Sequence, residues 1–393
     1  MPSILVINSG SSSLKFSLID IATQSLLLSG IAEKLGLSNA FLIIKKDDTK
    51  ETIALASSTH QAAMEYILTY IQREGLNDAI VAIGHRVVHG GEFFKSAVLI
   101  DDAVIKIIED CIAFAPLHNP AHLEGIYAAR LFAPTLPQVA VFDTAFHQTL
   151  PDYAYLYALP MEYYRKHGVR RYGFHGTSHQ YVSQQAALLL NKDLGDSGFI
   201  TAHLGNGASV SAVLNGKSVD TSMGFTPLEG LVMGTRTGDI DPAIIPYLAN
   251  TLNISAYDVV NTFNKKSGLL GLSGLSSDMR ELQEAAAGGH RGAAITIEVF
   301  VHRLAKYIGA MTTSLPKVDA LIFTGGIGEN SSIVRSKTLK RLHVLGYTIN
   351  EELNDKAVRG AHGVITTAES IPAIVINTNE ELMIALDTAA CIK

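Results

Sequence analysis

Cysteine is nearly absent: Cys111 and Cys391 are the only two in 393 residues. They lie far apart and outside any metal-ligand spacing, which argues against a thiolate metal centre and a disulfide framework; both are expected as free thiols in a reducing compartment. Long apolar runs are missing as well. No uninterrupted stretch reaches the roughly 18 residues that a membrane-spanning helix requires. The opening residues, Met1-Pro2-Ser3-Ile4-Leu5-Val6-Ile7, carry no basic segment and too short an apolar run for a signal peptide, so a cytoplasmic location is expected. Massed charge of one sign is also lacking. The formal net charge is -6 and Lys and Arg are scattered, which argues against nucleic acid or an anionic membrane as a partner. An anionic ligand must therefore be met by a few well-placed cations.

What is present is material for ordinary cores. The chain is 47% hydrophobic and 17% charged, with no low-complexity run, so it should be globular throughout. Its length exceeds that at which one hydrophobic core stops growing, so two domains are expected, with the working site in a cleft between them. No Pro/Gly linker marks the boundary; the region Pro151 to Pro160 is the best candidate.

The periodicities predict α/β layers. Ile4 to Ile7 reads as a strand, Asn8 to Ser13 as a polar turn, and Leu14 to Ile19 as the returning strand. A similar pattern recurs where Phe199 to Ala202 runs into His203-Leu204-Gly205-Asn206-Gly207 and returns through Ser209 to Leu214. Superposing the two places Asn8 over His203, Gly10 over Gly205 and Ser12 over Gly207, as an internal duplication would. Helices are expected at Ser58 to Glu74, Ala103 to Phe114, Pro242 to Leu252, Ala256 to Asn264, Arg291 to Ser314 and from Glu380 onward. Strands are expected at Ala82 to Val88, Gln138 to Phe142, Ala320 to Phe323 and Ala373 to Ile376.

The tip Asn8-Ser9-Gly10-Ser11-Ser12-Ser13 offers backbone N–H groups and hydroxyls with little steric cover, with Lys15 close by, which suits a phosphate or a hydrated metal. Taken alone it could also be a plain solvated hairpin. The second tip, His203 to Gly207, favours a polyphosphate gripped by two hairpins, and a third glycine-rich turn, Gly325 to Asn330, follows a strand as a close backbone approach to a nucleotide would. Two related halves with phosphate hairpins resemble the actin, hexokinase and Hsp70 superfamily of ATP-binding folds, which leaves function open. In His85-Arg86-Val87-Val88-His89-Gly90-Gly91 the strand period of two puts Arg86 and Val88 on one face; a guanidinium beside a methyl-bearing wall fits a short carboxylate with a small apolar tail. Further polar clusters occur at Ala115 to Pro120, Phe142 to His147, Arg171 to His179 and Met233 to Asp239.

From end to end these motifs resemble the acetate and propionate kinase family; they include Tyr172 to His179, Gly234 to Asp241 and Thr378-Asn379-Glu380-Glu381. The resemblance implies two actin-like ATPase domains, residues 1–149 completed by 377–393 and residues 150–376, with a nucleotide cleft between them. It implies that Asn8, Asp143 and Glu380 surround Mg2+, with Mn2+ as an alternative, and that Asp143 is essential. Arg86 and Arg236 are implied to hold the carboxylate and the phosphoryl group, His175 to stabilise the transition state, and His118 to support it. The nucleotide is implied to meet Lys15, His203, Leu204, Gly205, Asn206, Gly207, Asp278, Met279, Arg280, Gly326, Ile327, Gly328, Glu329 and Asn330. The apolar acyl pocket maps onto Val88, Leu117, Phe174 and Pro227. The implied activity is transfer of the ATP γ-phosphoryl to acetate, giving acetyl phosphate and ADP, by a homodimer.

A carboxylate with a pKa near about 4.3 is already ionised at neutral pH and needs no general base, so Asp143 is read as positioning magnesium. His147, His167, His179 and His290 are read as surface or hydrogen-bonded core histidines, His85 and His89 as orienting Arg86, and Asp239 and Asp241 as fixing Arg236 or capping the helix at Pro242. Two competing readings remain: a propionate kinase with a wider pocket, opposed by Val88, and an actin-like nucleotide switch, opposed by the lack of spare length for a partner-binding insertion.

Overall fold

The computed structural model describes residues 2–393. The chain divides into two compact units, one formed by residues up to Gln148 together with Asn379–Lys393, the other by Thr149–Thr378. The change of unit at Gln148/Thr149 falls just before the proline-flanked segment singled out in the sequence. Both cysteines are free thiols, and burial pushes the Cys111 thiol up to about 12. Among the described residues no helix is long and apolar enough to cross a membrane.

The first unit is built on an eight-stranded sheet. Its strands are β1 Ser3–Gly10, β2 Ser13–Asp20, β3 Leu26–Glu33, β4 Phe41–Lys46, β5 Thr49–Ala54, β6 Ile80–Val87, β7 Val98–Leu99 and β8 Gln138–Phe142, in the order β5-β4-β3-β2-β1-β6-β8-β7. Strands β1 to β5 form an antiparallel meander, and β1, β6 and β8 run parallel. Alternation places Leu5 and Ile7 with Leu14, Phe16 and Leu18 on one face, where they meet helices His60–Arg73 and Asn119–Phe132. The first of these helices shows why it forms: Thr59 caps Ala62 N–H, and Ala63, Met64, Ile67, Tyr70 and Ile71 recur at helical spacing on its buried side. The C-terminal helix Glu380–Cys391 covers the other face. Gly84 permits that approach, since a Cβ there would stand 2.3 Å from Thr388 Oγ1. Strand β8, covered on both sides, is buried at every position.

The second unit repeats the plan. Strands β9 Gly198–Leu204, β10 Ala208–Leu214, β11 Lys217–Thr221, β12 Ala320–Thr324, β13 Gly363–Val364 and β14 Ala373–Val375 form a sheet ordered β11-β10-β9-β12-β14-β13. Three antiparallel strands, two parallel strands and a short antiparallel edge strand match β3-β2-β1-β6-β8-β7 one for one. The duplication thus extends beyond the hairpins, and β4 and β5 are additions to the first unit.

The two hairpins differ by one pairing step. The first closes at Gly10↔Ser13 around two residues, whereas the second closes at Leu204↔Ala208 and frees three, Gly205 to Gly207. A one-residue slip exchanges the faces of a strand, and it is tolerated because residues of β10 are buried on both sides. Helix Arg291–Thr312 packs against β9 and β10, and helix Gly176–Leu189 against β9 and β12. The glycine-rich segment expected as a turn is a short helix, Gly325–Asn330. Gly325 enters it at φ +75°, and a Cβ there would meet the Leu204 carbonyl oxygen at 2.8 Å.

One fully buried cation holds this region together. Arg335 donates to the carbonyls of Gly328 (2.8 Å), Glu329 (3.0 Å), Asn354 (2.7 Å) and Ala357 (2.9 Å), and to Asn354 Oδ1 (2.8 Å). Burial lowers its pKa to about 10 against the pull of Asp355, and backbone carbonyls supply most of the solvation of the charge. Replacing Arg335 by Met strands four buried carbonyls at once. The expected cost is at least about 3 kcal/mol, read as a downward shift of the urea midpoint; a loss below about 1 kcal/mol contradicts the staple.

Candidate active site

In the first unit the polar groups gather at the carboxyl ends of the parallel strands. Asn8 and Lys15 face each other across the β1/β2 register. Arg86 sits next to the last residue of β6, and Asp143 follows β8 directly, its N–H bonded to the Val87 carbonyl at 2.9 Å. Neighbouring parallel strands thereby bring the two side chains together. Arg86 Nε and Nη2 donate to Asp143 Oδ1 and Oδ2 at 3.0 and 2.7 Å, a bidentate pair with the carboxylate almost fully buried. This pair, which the sequence reading did not anticipate, makes Asp143 the group that aims Arg86. Burial opposes the charge on Arg86, but Asp143, Glu380 and Glu381 outweigh it and raise its pKa. Burial, Asp143 and Glu381 push the half-buried Glu380 up, against the pull of Arg86 and Lys15. Three carboxylates thus face two cations, and an added cation is electrostatically welcome.

Several expectations here need correction. His85 and His89 do not orient Arg86 in the manner expected: His85 Nε2 pairs with Gln138 Oε1 at 3.0 Å, and His89 Nδ1 accepts from Gly91 N at 3.0 Å. Burial lowers their pKa values to about 4 and about 3, so both are neutral core groups. Val88 is buried but lies beyond the end of β6, so the period of two that placed it on the face of Arg86 does not reach it. Leu117 is 53% exposed, and His118 directly precedes helix Asn119–Phe132.

In the second unit, a cavity of about 930 Å3 is lined by Gly205, Asn206, Asp278, Met279, Arg280, Gly326, Ile327 and Asn330, eight of the residues implied to meet a nucleotide. Its volume lies in the range of ligand sites, roughly 300–1,000 Å3. Ser277, Gln283, Ser331, Val358 and Arg359 complete the lining and escaped the sequence reading. Arg359 could have been suspected only from the fold, because Asn330 Oδ1 accepts its N–H at 3.1 Å across 29 residues of chain. Glu329 turns inward: its Oε1 accepts from Gly325 N (2.9 Å), Thr378 N (3.0 Å) and Thr324 Oγ1 (3.3 Å).

Beside the second hairpin stand His175 and Arg236. His175 adopts a left-handed φ of 59° at the start of helix Gly176–Leu189, and its ring stacks on His203 with centroids 4.4 Å apart. Gly207 has no side chain where both groups converge: a Cβ there would lie 3.1 Å from His175 Nε2 and 3.7 Å from Arg236 Nη1. Arg236 makes no ion pair among the described residues. Its Nη1 donates to the Pro227 carbonyl at 2.9 Å, and burial lowers its pKa. The turn carrying it is bound to the hairpin by Gly234 N and the Asn206 carbonyl at 2.9 Å. Arg171 braces the same loop, bonding the carbonyls of Thr221, Ser222 and Met223 and, at 2.6 Å, Glu229. Asp239 does not fix Arg236; it accepts from Gly230 N at 2.8 Å and from Tyr307 at 2.5 Å. Asp241 accepts from Ala243 N at 2.9 Å, ahead of the helix that begins at Ile244.

The sequence profile described as the Acetokinase family matches residues 3–386. The chain belongs to the acetokinase family. An acetate kinase of Chromobacterium violaceum is 56% identical over 387 residues, covering 98% of each chain. Among solved structures, the Porphyromonas gingivalis acetate kinase is 43% identical with a TM-score of 0.95 over 100% of both chains. A propionate kinase of Francisella tularensis is 47% identical with a TM-score of 0.94 over 98% of this chain and 99% of its own. The acetokinase fold is of the actin/hexokinase-like ATPase type, consistent with the repeated sheet order.

The donors Asn8, Asp143 and Glu380 fit magnesium chemically, being oxygen ligands in an electronegative setting. No group of three or more His, Cys, Asp or Glu among the described residues forms a metal cage; magnesium commonly takes one or two protein carboxylates and completes its shell with water and phosphate.

The bare Gly207 provides a test of this cluster in the second unit. Gly207→Ala puts a methyl group where His175 and Arg236 converge and should lower kcat by at least about 100-fold, the scale of losing transition-state donors. Circular dichroism should stay unchanged; near-normal kcat would show that nothing reacts there.

Proposed function

We propose that the chain catalyses reversible transfer of the γ-phosphoryl group of ATP to acetate, giving acetyl phosphate and ADP. The observation that carries this reading is Arg236, a half-buried cation without a carboxylate partner, poised with His175 over the bare α-carbon of Gly207. Such a guanidinium has paid its desolvation in advance and gains most when negative charge arrives. Full-length relatives named acetate kinase support the choice of acceptor.

In this reading an acetate oxygen attacks the γ-phosphorus while the bond to the β,γ-bridging oxygen breaks, and ADP leaves with the electron pair. No proton moves, so no general base is needed. Asp143 holds Arg86 by two of its nitrogens and leaves Nη1 to face the reacting carboxylate or phosphoryl oxygens. Arg236 and His175 contact the equatorial oxygens, where charge develops. Mg2+, held by Asn8, Asp143 and Glu380, would neutralise charge on the β- and γ-phosphates. The cavity bounded by Asp278, Arg280, Gly326 and Asn330 takes the nucleoside. A cytoplasmic homodimer belongs to the same reading on the strength of the family resemblance.

Trapping with hydroxylamine tests the reaction class: ATP and acetate should yield acetyl hydroxamate, whereas a nucleotide switch would show slow hydrolysis and no trapped product. The acceptor is tested by kcat/KM. Acetate should exceed propionate by roughly tenfold or more, the usual value of one methylene in a tight pocket. A preference for propionate would make the Francisella enzyme the better guide.

A further inference from the structure

Two histidines of the second unit, His175 and His179, are joined through buried hydroxyl groups. Strand alternation puts Thr201 and His203 of β9 beside Ser211 and Ser209 of β10, all on the sheet face that helix Gly176–Leu189 covers. One helical turn separates His175 from His179, so both rings lie over that face. Four contacts follow. His175 Nδ1 lies 2.9 Å from Ser209 Oγ, and the same oxygen lies 2.7 Å from His179 Nε2. His179 Nδ1 is 2.7 Å from Thr201 Oγ1, and Thr201 donates to the Ser211 carbonyl at 3.4 Å. His179, Ser209, Thr201 and Ser211 are fully buried.

Resting on the reading of His175 given above, we infer that Ser209 and His179 are positioning residues that fix the ring and the proton of His175. The direction of the chain follows from its end, since a carbonyl can only accept. With the Thr201 proton given to Ser211, His179 Nδ1–H donates to Thr201, the Ser209 hydroxyl donates to His179 Nε2, and Ser209 accepts from His175 Nδ1–H. This arrangement satisfies all four contacts, whereas the reverse direction leaves the Ser211 carbonyl without the Thr201 proton. His175 thus keeps a proton on Nδ1, and Nε2 is the atom facing Gly207 and Arg236. A ring so held keeps Nε2 aimed at that place, and in the imidazolium form, with a second proton taken from solvent, it donates Nε2–H to a phosphoryl oxygen without rotating. Packing alone would place the ring but would not choose its proton.

A double-mutant cycle separates positioning from general structural support. Ser209→Ala and His179→Gln should each lower kcat about 10- to 100-fold, the range of a charge-assisted hydrogen bond, with KM for ATP little changed. In a His175→Ala background neither should lower kcat further. Ser209→Thr, which keeps the hydroxyl, should recover most of the activity. Additive losses, or an unchanged kcat in Ser209→Ala, overturn the inference. If His175→Ala retains wild-type kcat, the catalytic reading of His175 fails instead. The chain is still tested by the 15N shifts of His175: Nδ1 should be protonated in the wild type, and the preference should be lost in Ser209→Ala. A wild-type His175 protonated at Nε2 alone overturns the assigned direction.

Discussion

Parallel pairing of the first hairpin strand with the strand that follows the helical crossover decides where the chemistry of each unit sits. In the first unit β1, β6 and β8 end together, so Asn8, Arg86 and Asp143 emerge at one edge although they are far apart in sequence. In the second, Thr324 pairs with His203, which brings the entry of the Gly325 helix against the base of the second hairpin. That contact leaves no room for a Cβ at Gly325, and the left-handed backbone there starts the helix whose residues line the nucleotide-sized cavity. The same sheet order in both units thus yields two polar edges, each with its own electrostatics.

The hairpins and the strands Gln138–Phe142 and Ala320–Thr324 were legible in the sequence because buried parallel strands are short apolar runs bounded by glycine and polar residues. Strands β3, β4 and β5 were not. Their mixed polarity reflects a sheet region with more exposed positions, where the apolar signal is diluted. The helices Asn119–Phe132 and Gly176–Leu189 were also missed, since each buries polar residues, Asn119 and His179 among them, that break an apolar stripe. Pattern reading rests on hydrophobic periodicity and loses elements that bury polar groups for a purpose.

The residues of the candidate site were named mainly through the family resemblance, whereas their partners came from the fold. Nothing in local spacing tells that Arg86 binds Asp143, that Arg335 spans two carbonyl clusters, or that Ser209 bridges two histidines. One signal was present: Thr201 and His203 in β9, and Ser209 and Ser211 in β10, alternate with apolar residues inside strands that are otherwise core. Buried polar groups at a strict period of two imply a polar partner on one face, and the amino-acid sequence alone is enough to reveal that period.

The two arginines illustrate how the same side chain serves different ends. Arg86 is held by two hydrogen bonds to a buried carboxylate, so its charge is largely balanced before a ligand arrives, and its value lies in a fixed direction. Arg236 has a carbonyl and the Met233 sulfur as its neighbours, so its charge is poorly compensated and responds strongly to an anion. A guanidinium of the first kind selects and aligns. One of the second kind stabilises charge that is absent in the ground state and present in the transition state, which is the condition for accelerating a step rather than merely binding a reactant. Phosphoryl transfer needs both, because a dispersed negative charge must be met by donors that are already in place and not already satisfied.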